Sequence, residues 1–130
     1  ANAMWQISKS FGPHTSEEWL ALSQNMVRHL EDGTYCLHYD PQLRVPIRAL
    51  TEEQAKAGEV TLWQIYDLIQ CPTLLIRGAE SELLSAAAAL EMAQRGARAQ
   101  VVTLPGVGHA PTLTHQDQID IVRQFLGLPA

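Results

Sequence analysis

The stretch that decides the fold is a turn that contains a histidine, Leu104-Pro105-Gly106-Val107-Gly108-His109-Ala110-Pro111. It follows an apolar run over residues 100–104, which is predicted as a strand, and its glycines let the backbone turn tightly. In a parallel sheet such a turn lies at the carboxyl edge, where open α/β folds assemble their sites. His109 can act there as a general base, because imidazole takes up and returns a proton near neutral pH. A loop histidine bonded to backbone is the plainer alternative, but the strand and the helix behind it favour catalysis.

A second strand precedes this one in the chain. Residues 73–76 form a continuous apolar run, typical of a strand buried on both faces of a parallel sheet, and the run stops at Gly78. The turn that follows contains Glu80 and Glu82. A carboxylate at that position can orient His109 and stabilise its imidazolium, as the acid of a Ser-His-acid triad does. Alternatively, both glutamates only solvate the loop and favour the N-terminus of the next helix.

Helices are predicted on either side of the strand over residues 100–104. An Ala-rich helix over residues 85–95 stops at Gly96, and a last helix opens with Thr114 and Asp117 and ends at Gly127. Residues 71–130 therefore predict a strand–helix–strand–helix unit with parallel strands.

The first seventy residues predict helices and no strand. Thr15 and Glu18 have the spacing of a capping box, for a helix that Gly33 would end. Residues 35–50 are expected to be mostly irregular.

A second capping box follows at Thr51 and Gln54. It predicts a short helix that ends at Gly58, after which Thr61 would open another. The fold class is therefore α/β, with a helical segment before the parallel unit.

Composition excludes several classes of function. A net charge of -5 provides no basic stripe for nucleic acid, and no apolar run reaches the roughly 20 residues that a membrane-spanning helix needs. No metal-ligand spacing or phosphate loop occurs, so no metal or other cofactor is expected. Cys36 and Cys71 lie in apolar contexts and are predicted to be reduced and buried, which indicates a cytoplasmic protein.

Taken together, these segments resemble the α/β-hydrolase family, in particular bacterial serine hydrolases with a helical cap. The resemblance runs from about residue 5 to residue 126, and four matching segments occur in the family's order. They are Phe11-Gly12-Pro13-His14, Leu62-Trp63, Cys71-Pro72-Thr73-Leu74-Leu75-Ile76-Arg77-Gly78 and Gly108-His109-Ala110-Pro111. The resemblance implies a cap region over residues 1–70 and the C-terminal part of a hydrolase core over residues 71–130.

The resemblance also implies roles for individual residues. His109 takes the place of the catalytic histidine. The family's usual acid position is Ser81 here, but relatives with this turn carry Asp directly after the serine, and Glu82 stands there. Cap residues line the family's substrate cleft, and the candidates for such a role in this chain, with simple packing as the alternative, are Phe11, His14 and Trp63.

The family's nucleophile motif, Gly-x-Ser-x-Gly, does not occur in the sequence. We therefore expect a C-terminal fragment of a hydrolase for small-molecule esters, lactones or related substrates, inactive alone. A non-catalytic module that binds a partner or small ligand is the alternative. Because two strands make a small sheet, with residues 73–76 unpaired on one side, a two-fold homodimer is expected.

Overall fold

The structure, a computed structural model, describes residues 1–128, so the last two residues of the predicted C-terminal unit lie outside the described residues. The first half contains helices α1 (Asn2–Ser8) and α2 (Ser16–Met26), strands β1 (Val27–His29) and β2 (Tyr35–Leu37), and helices α3 (Arg44–Arg48) and α4 (Glu52–Asp67). Short 3-10 turns span Lys9–Phe11 and Pro41–Leu43. The second half contains β3 (Leu74–Gly78), α5 (Ala86–Gln94), β4 (Gln100–Leu104) and α6 (Gln116–Phe125).

Strands β3 and β4 pair in parallel, with Leu74 opposite Gln100 and Gly78 opposite Leu104. The predicted strand–helix–strand–helix order is therefore confirmed, and so is the α/β class. Helix α5 ends where Gly96 adopts a left-handed φ of 51°, as its sequence position predicts.

Helix α6 begins two residues later than its predicted cap. Its N-cap is His115, whose side chain makes no capping hydrogen bond. The predicted cap at Thr114 is wrong, because its hydroxyl oxygen lies 3.0 Å from that of Thr112 instead of facing the helix.

The capping box of α2 is confirmed. The Thr15 hydroxyl accepts from the backbone N–H of Glu18, and the Thr15 N–H donates to the Glu18 carboxylate at 2.7 Å. The helix stops at Met26, however, and the predicted continuation to Gly33 is wrong.

Residues 27–37 form an antiparallel hairpin instead, so the first half is not free of strands. Gly33, with φ 84°, lies in its turn, and the carboxylate of Asp32 accepts from the backbone N–H of Thr34 at 2.9 Å. Because β2 and α3 both fall within residues 35–50, the prediction of mostly irregular chain there is also wrong.

Helix α4 begins at the predicted capping box, in which Thr51 and Gln54 bond each other's backbone N–H groups. It then continues through Gly58 to Asp67, so one long helix replaces the two predicted. Thr61 does not cap a helix: its hydroxyl donates to the carbonyl of Ala57 at 3.1 Å, inside α4.

The buried apolar side chains lie before residue 27 and after residue 76. They are Met4, Trp19, Ala89, Ala99, Leu104 and Val107. Between residues 27 and 76 no described residue is buried. Cys36 is half-buried and Cys71 exposed, so the prediction that both are buried is wrong, although both are free thiols. No helix in residues 1–128 combines the length and apolarity needed to cross a membrane.

Candidate active site

His109 lies in the loop after β4, at the carboxyl end of the parallel strand pair. Its side chain is exposed, and the edge of its ring meets the ring of Phe11 with centroids 5.8 Å apart and planes at 84°. Within residues 1–128 neither ring nitrogen of His109 has a hydrogen-bond or ion-pair partner. The imidazole is therefore free to exchange a proton with a group brought to it.

The backbone of this loop is held from two directions. The Gly108 N–H donates to the carbonyl of Ser10 at 2.6 Å. On the other side, Gly78 touches the loop so closely that a Cβ there would lie 1.9 Å from the Gly108 carbonyl oxygen. The Glu80 N–H donates to the carbonyl of Val107 at 3.0 Å, which continues the hydrogen bonding of the strands into the loop. The path of the chain before His109 is thus fixed by backbone contacts.

The acidic turn after β3 wraps around a buried guanidinium. Arg77 donates from Nε to the carbonyl of Leu84 at 2.7 Å and from Nη2 to that of Ala79 at 3.1 Å. The Ser81 hydroxyl accepts from the Leu84 N–H at 3.1 Å. Glu82 is exposed, and no hydrogen bond or ion pair joins it to His109 in the described chain. Hydrogen bonds from Arg77 and to Ser81 therefore hold the backbone of the turn.

Phe11 and His14 lie beside the histidine loop. The Nδ1 atom of His14 is 2.9 Å from the Gly12 carbonyl oxygen, and its Nε2 atom is 2.7 Å from the hydroxyl of Thr112. The ring also lies 4.9 Å, between centroids, from that of Trp19. Of the three predicted cleft residues the structure thus brings Phe11 to the ring of His109 and His14 to Thr112 in the same loop, and the sequence does not single out Thr112 or Ser10.

Trp63 belongs to a different surface. The guanidinium of Arg95 lies 4.7 Å over its ring, and Tyr66 meets it edge-on at 5.7 Å. Arg95 is also paired with Asp67, and this hydrogen bond holds the pKa of the Asp67 carboxyl below its ordinary value. Trp63 faces an apolar groove of about 530 Å³ lined also by Leu83. Its described contacts do not include Phe11, His14 or His109.

Another carboxylate, that of Glu18, lies next to His115. The Nε2 atom of His115 is 3.5 Å from Oε1 of Glu18. The pKa of Glu18 is lowered, chiefly because it accepts a hydrogen bond from the Thr15 backbone. No group of three or more His, Cys, Asp or Glu side chains in residues 1–128 is arranged to hold a metal ion.

Comparison with known proteins shows which proteins this chain is similar to. No protein-family model matches the chain. It is 45 % identical over 122 residues to a 3-hydroxybutyrate-oligomer hydrolase of Cupriavidus necator, which covers 92 % of this chain and 42 % of that protein. An α/β hydrolase from Novosphingobium aromaticivorans superposes with a TM-score of 0.76 at 29 % identity, over 97 % of this chain and 44 % of that one. The chain is a portion of the α/β-hydrolase fold.

A protein of Rickettsia typhi assigned as a hydrolase shares this fold, with a TM-score of 0.76 at 22 % identity over 98 % of this chain and 41 % of that one. The chain thus spans less than half the length of each relative. The α/β-hydrolase resemblance predicted from the sequence is confirmed, and the coverage is consistent with the C-terminal portion of such a hydrolase.

Proposed function

We propose that this α/β-hydrolase segment supplies the catalytic histidine, His109, to an enzyme that cleaves ester bonds with a serine nucleophile. One observation supports the proposal above all others. The backbone of the loop is held by Ser10 and Gly78 up to the residue before His109, while neither nitrogen of the His109 ring has a hydrogen-bond partner among the described residues. A rigid loop that presents a free imidazole at the carboxyl end of parallel strands is the arrangement that general-base catalysis requires.

In the proposed reaction His109 moves one proton in each half-cycle. It accepts the proton of the serine hydroxyl as the serine oxygen attacks the ester carbonyl carbon, and gives it to the departing alcohol oxygen. It then takes a proton from water, whose oxygen attacks the acyl-serine, and returns that proton to the serine. Glu82, on the turn after β3, would orient the imidazole. The sequence has no Gly-x-Ser-x-Gly, so the nucleophile and oxyanion donors of this enzyme would lie outside these 130 residues.

The substrate class that we propose is the short oligomeric hydroxyacid ester. Its support is the 45 % identity to a hydrolase named for 3-hydroxybutyrate oligomers. Phe11, the ring nearest to His109, would form one wall of the cleft. Trp63 lies on another surface, and its proposed contact with substrate has no support from the geometry. Cytoplasmic location is part of the proposal, and free thiols at Cys36 and Cys71 are usual in a reducing compartment.

A hybrid enzyme tests this function directly. The chain replaces the aligned segment of the Cupriavidus necator hydrolase, and release of 3-hydroxybutyrate from its oligomers is measured. We expect His109→Ala to lower kcat by roughly a thousandfold or more, since the general base is lost. His38→Ala, at an exposed histidine elsewhere, is the matched control and should leave the rate unchanged. Retention of more than about a tenth of the rate by the His109 variant removes His109 from the catalytic role.

The same hybrid tests the acid. We expect Glu82→Gln to lower kcat roughly tenfold or more, because a neutral side chain stabilises the imidazolium less. Glu80→Gln is its matched control, two residues away in the same turn and also exposed. Equal rates for the two variants would assign the acid to another carboxylate.

A second candidate function is a binding module without catalysis. It is favoured by the large apolar side chains that the first half exposes, such as Leu43, Ile47 and Leu68. If His109→Ala and wild-type hybrids have equal activity, this candidate replaces the catalytic one.

A further inference from the structure

We propose that His14 is a positioning residue that fastens the loop carrying His109 to the first half of the chain. Its catalytic meaning rests on the function proposed above, but the geometry stands by itself. The loop has left-handed backbone at Gly106, with φ 71°, and at Leu113, with φ 54°. A loop with such turns needs outside contacts to keep one conformation.

The hydrogen bonds of His14 fit one tautomer of its neutral ring. The Gly12 carbonyl can only accept a hydrogen bond, so Nδ1 carries the hydrogen. The Nε2 atom then accepts from the Thr112 hydroxyl, and the Thr112 oxygen lies 3.0 Å from that of Thr114. With both nitrogens engaged, His14 cannot bond substrate without releasing the loop. We therefore assign it to positioning and not to substrate contact.

The ring of His14 also stands in an aromatic row that reaches His109. The centroids of His115 and His14 are 5.2 Å apart, and those of His14 and Trp19 are 4.9 Å apart. Trp19 lies 6.5 Å from Phe11, whose ring lies 5.8 Å from that of His109. Because Trp19 is buried, the row is fixed at its centre. Displacement of His14 thus changes the surface against which His109 rests.

The backbone conformation of Leu113 is a further reason why the neighbouring Thr112 needs a contact outside the loop. A branched residue with positive φ is held there against its own preference. Its N–H donates to the buried side chain of Gln118 at 3.0 Å, which secures the loop on the helix side. His14 secures it on the opposite side through Thr112, so the two bonds together hold this backbone.

Thr112→Val tests the proposal, since it removes the hydroxyl and keeps the shape of the side chain. Thr103→Val is the matched control, because Thr103 is exposed on β4 and makes no side-chain hydrogen bond in the described chain. His14 ring nitrogen shifts, Gly108 amide exchange and the His109 ring proton shift are measured by NMR on the 130-residue chain. For Thr112→Val we expect a freed Nε2, about fivefold faster Gly108 exchange and a smaller ring-current shift from Phe11. Amides of β4 should exchange as in wild type.

A second variant guards against a trivial loss of folding. His14→Phe keeps a ring between Trp19 and His115 and removes both hydrogen bonds, so it should give the same local changes. The proposal is overturned if Gly108 exchange and the His109 signal are unchanged in both variants. It is also overturned if β4 amides exchange faster by the same factor, since that outcome marks a general loss of stability.

The hybrid enzyme separates this proposal from the proposed function. With His109 catalytic, Thr112→Val should lower kcat several-fold and leave KM nearly unchanged, because it misplaces the base without touching substrate. An unchanged kcat in that case overturns the positioning role. If instead the loop loosens in NMR while His109→Ala keeps full activity, the proposed function fails and the fastening of the loop stands.

Discussion

The β3–β4 unit and the segment from β1 to α4 use their apolar side chains in opposite ways. The β3–β4 unit buries Ala99, Leu104 and Val107, and the loop beyond β4 is packed backbone to backbone. From β1 to α4 no described residue is buried, and Ile47, for example, is 68 % exposed. Each half nevertheless contains helices that begin with a side-chain cap, at Thr15 and Thr51 in the first and at Ser85 in the second. Local hydrogen bonds thus suffice to start a helix, whereas burial requires a facing surface, which the segment from β1 to α4 lacks in this structure.

The largest contrast is expected between two glycines, one in each half. At Gly78 a Cβ would lie 2.2 Å from the Val107 carbonyl oxygen, whereas at Gly58, inside α4, it would meet nothing within 4 Å. We expect Gly78→Ala to lower the free energy of unfolding by roughly 3 kcal/mol or more. Gly58→Ala should raise it by about 0.5–1 kcal/mol, because alanine is the better helix former. Urea unfolding measures both, and similar values for the two variants would contradict the comparison.

The second expected effect is self-association, which remains a proposal. Among the described residues β3 pairs only with β4, so its other edge is unpaired, and the apolar side chains of α3 and α4 are exposed. Sedimentation at micromolar concentration should give at least twice the 14.4 kDa chain mass. The double variant Leu43→Glu with Ile47→Glu tells the two surfaces apart, because it charges α3 and the turn before it and leaves β3 unchanged. A monomeric double variant assigns association to this helical surface, and a monomeric wild type refutes self-association.

A third prediction compares the two capping boxes. Thr15→Ala and Thr51→Ala each remove a hydroxyl that accepts from a backbone N–H, and each should cost about 1 kcal/mol of helix stability. Of the two helices only α2, which Thr15 caps, carries Trp19, against which Phe11 and His14 pack. We therefore expect Thr15→Ala to shift the NMR signals of His109 and Thr51→Ala to leave them in place. Equal shifts would show that the two helices do not differ in their link to His109.

The smallest expected effect concerns how the stability of the fold depends on pH through the same two capping boxes. The pKa of Glu18 lies below its ordinary value of 4.5 in the folded chain, so ionised Glu18 stabilises the fold above that pH. This contribution is lost as the pH falls through the lower, folded pKa. Glu18→Gln should remove the dependence, and Gln54→Glu, at the equivalent position of α4, should introduce one. Thermal unfolding between pH 3 and 6 tests both variants, and parallel curves for wild type and Glu18→Gln would contradict it.

The sequence predicts those elements whose signals are local. Capping boxes at Thr15 and Thr51, and the apolar runs of β3 and β4, act over a few residues and appear as predicted. Gly33 and Gly58 mislead because glycine is treated as a helix stop, although one lies in a hairpin turn and the other inside a helix. The Asp32-Gly33 pair is itself a hairpin signal, and it would have indicated the turn that the structure shows.

For the candidate site, the sequence indicates which residue carries the chemistry but not what holds it. The strand and glycines before His109 predict its place at the carboxyl end of the sheet. Arg77 is detectable in principle, as a charge inside an apolar strand, whereas Ser10 acts through its backbone carbonyl, which no side-chain pattern reveals. Thr112 acts by meeting a residue far away in the chain. Contacts of this kind follow from the fold and produce no pattern of residue spacing in the sequence.

The bond between His14 and Thr112 joins residues 98 positions apart, and this separation has a kinetic consequence. The β1–β2 hairpin closes a loop of a few residues and can form within microseconds, whereas a contact across most of the chain must wait until the search over a long loop succeeds. During refolding the hairpin and helices should therefore appear first, and the surroundings of His109 should be the last part of the molecule to reach their final arrangement. A tryptophan signal from Trp19, followed after rapid dilution from urea, would lag behind the recovery of helical circular dichroism.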